Sequence, residues 1–224
     1  MEPTAVLPHI PSRTTNEELA EEKRLLIGEA AIRCFGQGGF HATTIEQIAT
    51  EAGMSVGLIY RYVKRKEDIL LVAIDQSLSL YESALIPIAR LDLPPAEKLR
   101  QAMFAYYGII DRKPDRAAIT YRETWVLDKA GRDYVKQREL ETNRHIERII
   151  QEGIDRGVFR TVDPHFITYD IALLGHMWAL KGWHFRALMS HEEYVQKQFE
   201  LVMAYLRPPG ADQVDGVESS AASS

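Results

Sequence analysis

Thr43-Thr44-Ile45-Glu46-Gln47-Ile48-Ala49, followed two residues on by Ala52-Gly53-Met54-Ser55-Val56-Gly57-Leu58-Ile59-Tyr60-Arg61-Tyr62-Val63, is the stretch that decides how this chain folds. Thr44 is a favoured helix N-cap, and Gln47 stands three residues later, where its side chain completes a capping box. Ile45, Ile48, Ala49 and Ala52 then fall on one apolar face. Gly53 ends that helix and can take the positive φ of a tight turn. Ser55 caps a short helix that is expected to run through Val63. Ala49 is small where the two helices approach, and Ile48, Ala52 and Ile59 supply a shared seam, so the pair reads as a helix-turn-helix. A plain helical hairpin is the competing reading.

Working outward, Ile27, Ala30, Ala31, Cys34 and Phe35 form the stripe of an amphipathic first helix stopped by Gly38-Gly39. Lys66-Glu67-Asp68 opens a fourth helix that carries Ile69, Leu70, Ala73 and Ile74. Pro87 and Pro94-Pro95 punctuate the pattern. Further helices are expected over 96–110, around Tyr121, Trp125 and Val126, over 132–156, from Asp163-Pro164 to about 188, and over 192–206. No strand and no repeat is evident. The expected fold is all-α, with about nine helices. A flexible arm (1–15, with Pro3, Pro8 and Pro11) precedes a three-helix helix-turn-helix domain (16–66), a larger helical domain (67–207) and a disordered tail (208–224).

The 224 residues are 46% hydrophobic, enough for a substantial core. A net charge of −5 argues against polyanion binding over the whole surface, so any nucleic-acid contact must be local. Arg61, Lys64, Arg65 and Lys66 make one compact basic cluster; viewed alone, it reads equally as a solvated turn. Cys34 is the only cysteine, which excludes an intrachain disulfide or a multi-cysteine metal site and reads as core packing. No run approaches the 18 or more apolar residues of a membrane span. Met1-Glu2-Pro3-Thr4 lacks the basic start of a secretory signal, and a cytoplasmic protein without membrane contact is expected. Catalysis is not expected. There is no GxGxxG, P-loop or GxSxG, and His191-Glu192-Glu193-Tyr194-Val195 lacks the second histidine of HExxH. No metal or cofactor is implied.

The segment from Thr43 through Val63, with Lys66-Glu67-Asp68, closely resembles the DNA-binding domain of the TetR family of repressors, specifically over residues 25 to 72. The resemblance implies a ligand-responsive regulator that binds palindromic, double-stranded operator DNA as a homodimer. Position by position, it makes Thr44 and Ser55 phosphate ligands at helix N-termini, where free N–H groups and the dipole favour an anion. It places Val56 and Gly57 at the leading end of the recognition helix, the bare Gly57 allowing close approach to a base edge. Tyr60, Arg61 and Tyr62 correspond to the segment that contacts backbone and bases, and Lys66 to a phosphate-contacting lysine. Two readings of Arg61 stand side by side, a bidentate pair with guanine and a phosphate contact only. Two positions depart from the family pattern, Val56 where lysine is common and Val63 where phenylalanine is common.

Beyond residue 72 the resemblance rests on helix number, chain length and order, and it implies an effector-binding and dimerisation domain. Aromatic and polar residues interleave there, a composition that suits either a ligand cavity or a core. Tyr107, Arg122, Trp125 and His176 are the expected effector contacts because the family's helices at these ordinal positions surround the cavity. Arg122 would anchor an acidic ligand; its other reading is a salt bridge with Glu123 or a neighbouring helix. The segment Ile149 to Arg160, with Glu152-Gly153 and Arg156-Gly157-Val158-Phe159-Arg160 before Asp163-Pro164, looks like the corresponding stretch of family members that sense fatty acyl-CoA or other lipid-like carboxylates, so the effector is expected to be acyl-CoA-like or an aromatic acid of unspecified identity. The last two helices, with Leu173, Leu174, Met177, Leu180, Phe199, Val202 and Met203, are the expected dimer contact. The alternative class is a helical small-molecule carrier without sequence-specific DNA binding.

Overall fold

The computed structural model describes Ile10 and residues 17–209. These residues form α1 (Glu17–Ala42), α2 (Ile45–Glu51), α3 (Val56–Ile59), α4 (Lys66–Ala89), α5 (Pro95–Arg112), α6 (Pro114–Glu123), a 3-10 turn (Thr124–Val126), α7 (Lys129–Asp155), α8 (Pro164–Leu180), α9 (Gly182–Phe185) and α10 (His191–Leu206). No strand occurs among the described residues, and the all-α class stands as predicted.

The differences in detail have local causes. The single run expected from Asp163 to about 188 divides at Lys181, whose φ of −122° and ψ of 26° leave the helical region, so α8 and α9 are separate. Trp125 and Val126 fall in the 3-10 turn rather than in α6. Pro87 does not end α4, which continues to Ala89. Helix α1 does break at Gly39 (φ 75°, ψ 166°), with one further turn reaching Ala42. The helix expected through Val63 is α-helical only to Ile59; Arg61 N–H donates to Leu58 O and Tyr62 N–H to Ile59 O, the tighter i→i+3 pattern of a helix ending. Of the expected N-terminal arm only Ile10 is described, and it is buried, its carbonyl accepting from Arg24 Nη2 at 2.7 Å. The expected tail from 210 onward lies outside the described residues.

Helix α4 organises the molecule. It packs on α1 at one end and on α5 and α7 along its length, and it crosses the boundary expected at 66/67 without interruption. It is also long and apolar enough to cross a membrane, with a mean hydropathy of 1.4, contrary to the expectation that no segment is. Its apolarity has a local cause. Ile69, Leu70, Leu71, Val72, Ala73, Ile74, Leu78 and Leu85 are all buried against neighbouring helices.

Candidate nucleic-acid interface and effector cavity

The head consists of α1, α2 and α3 around Ile27, Phe35, Phe40, Ile48, Ile59 and Val63, all buried. The capping box of α2 forms as the sequence predicts, with Thr44 N–H donating to Gln47 Oε1 at 2.8 Å and Gln47 N–H to Thr44 Oγ1 at 3.3 Å. Gly53 adopts φ 66°, and Met54 N–H returns to Ala49 O at 2.9 Å, which closes the turn between α2 and α3. Ser55 Oγ accepts from Leu58 N–H at 3.2 Å and caps α3. Both capping hydroxyls are exposed and accept in these bonds; the Ser55 O–H is left able to donate outward, whereas the Thr44 hydroxyl is also bonded to the Glu46 carboxylate and, after that residue's own backbone N–H, helps hold its pKa down.

The head exposes Thr44, Ser55, Gly57, Tyr60 and Arg61, with Val56 half-buried. A Cβ built on Gly57 meets no atom within 4 Å, so nothing in the folded chain requires glycine there. Tyr62 is placed otherwise: it is 3% exposed, packed in the core of the head, with its carbonyl accepting from Arg24 Nε at 3.2 Å. Lys66 is largely occupied within the protein. Its Nζ donates to Phe40 O at 2.7 Å and Thr43 O at 2.8 Å and lies 4.4 Å from the Phe40 ring centroid, tying the end of α1 to the start of α4. Arg65, a further member of the basic cluster, pairs with Asp68 at 3.0 Å and Asp128 at 2.7 Å.

In the body, a cavity of about 50 Å³ lies between five helices. Its wall includes Tyr81 from α4, Tyr106 from α5, Thr120 and Tyr121 from α6, Glu139 and Asn143 from α7, and Tyr169 and His176 from α8. His176 organises this wall. Its Nε2 is hydrogen-bonded to the Tyr106 hydroxyl at 2.9 Å and its Nδ1 to the Tyr121 hydroxyl at 3.0 Å. Burial pulls the imidazole pKa down to about 4, so at neutral pH the ring is uncharged, donating through one nitrogen and accepting through the other. Burial raises the Glu139 carboxyl above its ordinary range and pushes Tyr121 up to about 12.

Of the four expected effector contacts, only His176 lies in this wall. Tyr107 lies outside this wall: it is fully buried, its hydroxyl donates to Ile171 O at 2.6 Å, and its ring lies against Gly175, where a Cβ would come within 2.5 Å. Its neighbour Tyr106 faces the cavity instead. Arg122 is exposed and Trp125 is 78% exposed, both away from the cavity. Glu123 does not pair with Arg122; it turns inward and accepts from Phe40 N–H at 3.4 Å. Tyr81, Thr120, Glu139 and Asn143 were not anticipated. For Glu139 and Asn143 a signal was present in the sequence: an i, i+4 pair of polar residues on a face of α7 shared with Val135 and Ile146.

Two connections leave the helices of this wall, one reaching the head and one reaching α4. On α6, Arg116 is 2% exposed, pairs with Glu29 of α1 and donates through Nη1 to Ser77 Oγ of α4 at 3.2 Å. On α7, Arg138 precedes Glu139 and grips α4 through Asp75 at 3.2 Å, Glu82 at 3.0 Å and Ser79 at 3.2 Å.

A small helical head bearing an exposed capped α3, joined by one continuous helix to a body whose mainly apolar cavity carries a few polar groups, is the arrangement of a ligand-responsive DNA-binding regulator. Comparison with known proteins agrees: residues 27–73 match the bacterial regulatory proteins of the tetR family, and residues 92–204 the tetracyclin repressor-like C-terminal domain. The chain belongs to the TetR family. Family likeness thus extends well past residue 72, where the sequence reading left it to helix number and order. The HTH-type transcriptional regulator HbdR of Aromatoleum sp. (strain CIB) is 36% identical over 194 residues, covering 87% of this chain and 85% of that relative. Among solved structures, FadR from Bacillus subtilis in complex with stearoyl-CoA has a TM-score of 0.69 at 19% identity, covering 82% of this chain and 99% of that one. AibR in complex with isovaleryl coenzyme A and operator DNA has a TM-score of 0.68 at 19% identity, covering 80% and 97%. TetR-family regulators are DNA-binding proteins, not enzymes.

Proposed function

We propose that this TetR-family regulator is a cytoplasmic repressor that holds palindromic operator DNA as a homodimer and is released by a small acyl-thioester-like or aromatic effector. The observation that carries the DNA half is the exposed edge of the head. Ser55 offers a hydroxyl donor at the start of α3, Thr44 stands exposed at the start of α2, Val56 and Gly57 present a nearly smooth surface between them, and Tyr60 and Arg61 flank it. Tyr62 and Lys66 act in this reading by holding the edge in place, with Lys66 adding charge beside the sugar-phosphate chain.

Dimerisation is read from an unpartnered apolar face. Phe166, Leu173, Met177 and Leu180 share one side of α8 and are exposed, as are Leu201 and Tyr205 on α10. Two copies paired through α8 and α10 would bury this face in a four-helix contact and give the two-fold symmetry that palindromic half-sites need. Leu173 belongs both to this face and to the cavity wall, so effector and partner meet at one helix.

For the effector, the acyl-CoA compounds of the FadR and AibR complexes supply the class, and the cavity supplies a constraint. Ligand sites usually span about 300–1,000 Å³. At about 50 Å³ this cavity accepts a stearoyl chain only by opening, whereas a short or aromatic acyl end needs a smaller displacement. Such displacement is also how the signal leaves. Tyr121 and Thr120 share α6 with Arg116, which holds α1, and Tyr81 lies on α4 itself. An effector that prefers the expanded body therefore changes the spacing of the two heads.

The test is a salt-resolved binding titration of the purified protein on its own promoter and on scrambled duplex. A repressor prefers the promoter by about 10³-fold or more, with affinity falling steeply as salt rises. Equal affinity for both duplexes would leave only the carrier reading.

A further inference from the structure

The cavity wall holds a hydrogen-bond donor that the protein leaves unused. Tyr81 of α4 lines the cavity and is 3% exposed, yet its hydroxyl has no hydrogen-bond partner. A second unpaired donor lies close by. Arg116 of α6 is 2% exposed; its Nη2 is taken by Glu29 and its Nη1 by Ser77 Oγ at 3.2 Å, while its Nε–H has no partner. Ser77 and Tyr81 stand four apart on α4, neighbours on one face of that helix, and Ala117, next to Arg116, lines the same cavity. Burial raises the pKa of the Tyr81 hydroxyl and the Arg116 charge pulls against that rise, so the guanidinium is near enough to favour negative charge at the hydroxyl. Glu139, the acid of the wall, bears instead on Tyr106, Tyr121 and Tyr169. The cavity is thus polarised, with a free donor and a positive charge toward Tyr81. Buried polar groups left unpaired are costly, and a binding site is one place where such a cost persists, because the ligand removes it.

We propose that the Tyr81 hydroxyl, in the field of the Arg116 guanidinium, is the recognition point for an acyl oxygen of the effector, either the carboxylate of a free acid or the carbonyl of its thioester. This rests on the effector-cavity reading above and narrows it to the group that enters first. Such an oxygen only accepts, which is what an unpaired O–H donor near a cation requires. An amine or amidine end would bring donors and a second positive charge to the same point and is rejected. Size agrees with this choice. A cavity of about 50 Å³ holds one or two groups the bulk of water, about 30 Å³ each, which suits a carboxylate or carbonyl group and leaves the rest of the ligand to the space that opens in the body. Arg116 then serves two places at once, because the guanidinium that favours the acyl oxygen is the one that grips Glu29 of α1. Ligand and head are connected through a single side chain.

The experiment uses full-length protein and three probes of one size and shape, acetate, acetamide and acetamidinium, which run from acceptor only to donor only. Binding is read by saturation-transfer NMR on their methyl group and by thermal shift, with ionic strength held constant by sodium chloride. Acetate and acetamide each bind about tenfold or more tightly than acetamidinium. Acetate ahead of acetamide assigns the free acid, and acetamide ahead assigns the thioester carbonyl. Tyr81→Phe weakens both by about fivefold to tenfold. Without ligand the same variant melts at or above the wild-type temperature, because it removes a hydroxyl that had no partner. Circular dichroism checks that it folds, and the wild-type probe series stands whether or not it does. Equal binding of the three probes, no binding of any, or a folded Tyr81→Phe that keeps wild-type acetate and acetamide affinity would overturn the proposal. So would a ligand-free Tyr81→Phe that melts several degrees lower. The same preparations are titrated with promoter DNA. Intact operator binding without preference for the acceptor probes removes this inference alone, whereas absent operator binding removes the regulator reading whatever the probes do.

Discussion

Substitution of Gly57 separates the demands of folding from those of DNA binding. In the free protein a side chain at this position meets nothing within 4 Å, and Gly57 is not one of the three glycines with positive φ among the described residues. Folding therefore tolerates alanine or leucine, and the change in helix propensity favours them by up to about 1 kcal/mol, or about 2–4 °C in Tm for a chain of this size. On DNA the outcome reverses, because Gly57 occupies the leading end of α3, where the proposed interface needs the backbone close to the base edges. A disturbed contact at one base pair typically costs about 1–3 kcal/mol. Two heads double this, so Gly57→Leu should lose from about 30-fold to about 10⁴-fold in operator affinity, with Gly57→Ala between leucine and wild type. Fluorescence anisotropy on the labelled promoter at fixed salt measures the loss, and thermal unfolding of the same samples measures the tolerance. Wild-type affinity in Gly57→Leu would show that α3 does not enter the groove. A drop of many degrees in Tm would show instead that glycine is there for the fold.

Other substitutions address the remaining parts. Arg61→Ala should weaken operator binding and reduce the salt slope by about one per head. Lys66→Ala should lower stability by about 2 kcal/mol in chemical denaturation, since it leaves the Phe40 and Thr43 carbonyls without their charged donor. Met177→Glu, on the exposed face of α8, should yield monomers in sedimentation and lose operator affinity together with the dimer. The pH dependence of stability follows from His176. Unfolded, the ring takes a proton near its ordinary value of 6.5; folded, it resists protonation down to about 4. Between these values the unfolded chain binds more protons, so this group's contribution falls as pH falls, by about 3 kcal/mol across the window. Glu139, whose folded pKa is raised, acts in the opposite direction. The His176 contribution is therefore measured as the difference in slope between wild type and His176→Asn, which should lose it. Identical slopes would refute the buried neutral imidazole.

The head was legible almost to the residue because its determinants are local. A capping box, a glycine turn and a second N-cap each act over three or four residues, and Thr44, Gln47, Gly53 and Ser55 all take the expected geometry. The roles of Tyr62 and Lys66 were less legible. Whether a tyrosine at a helix end faces solvent or core depends on α1, and whether a lysine is available depends on carbonyls more than twenty residues away. The cavity was the least legible part. Tyr106 and Tyr107 are adjacent and chemically identical, and both touch α8: the Tyr107 ring packs where Gly175 allows close approach, while Tyr106 meets His176 in the cavity wall. Trp125 and Arg122 were the attractive residue types, but the 3-10 turn after α6 carries the tryptophan outward.

Arg138 and Glu139 are consecutive on α7 and face different surroundings, one gripping α4 and the other lining the cavity. Neighbouring side chains on a helix diverge by about 100°, so a small roll of α7 moves both at once and in a fixed proportion. The helix works as a camshaft, with whatever presses on one lobe turning the other. Residues around Glu139 are thus free to change chemical taste over evolution while the Arg138 lobe, anchored to α4 and to Glu141 of its own helix, keeps delivering the same stroke.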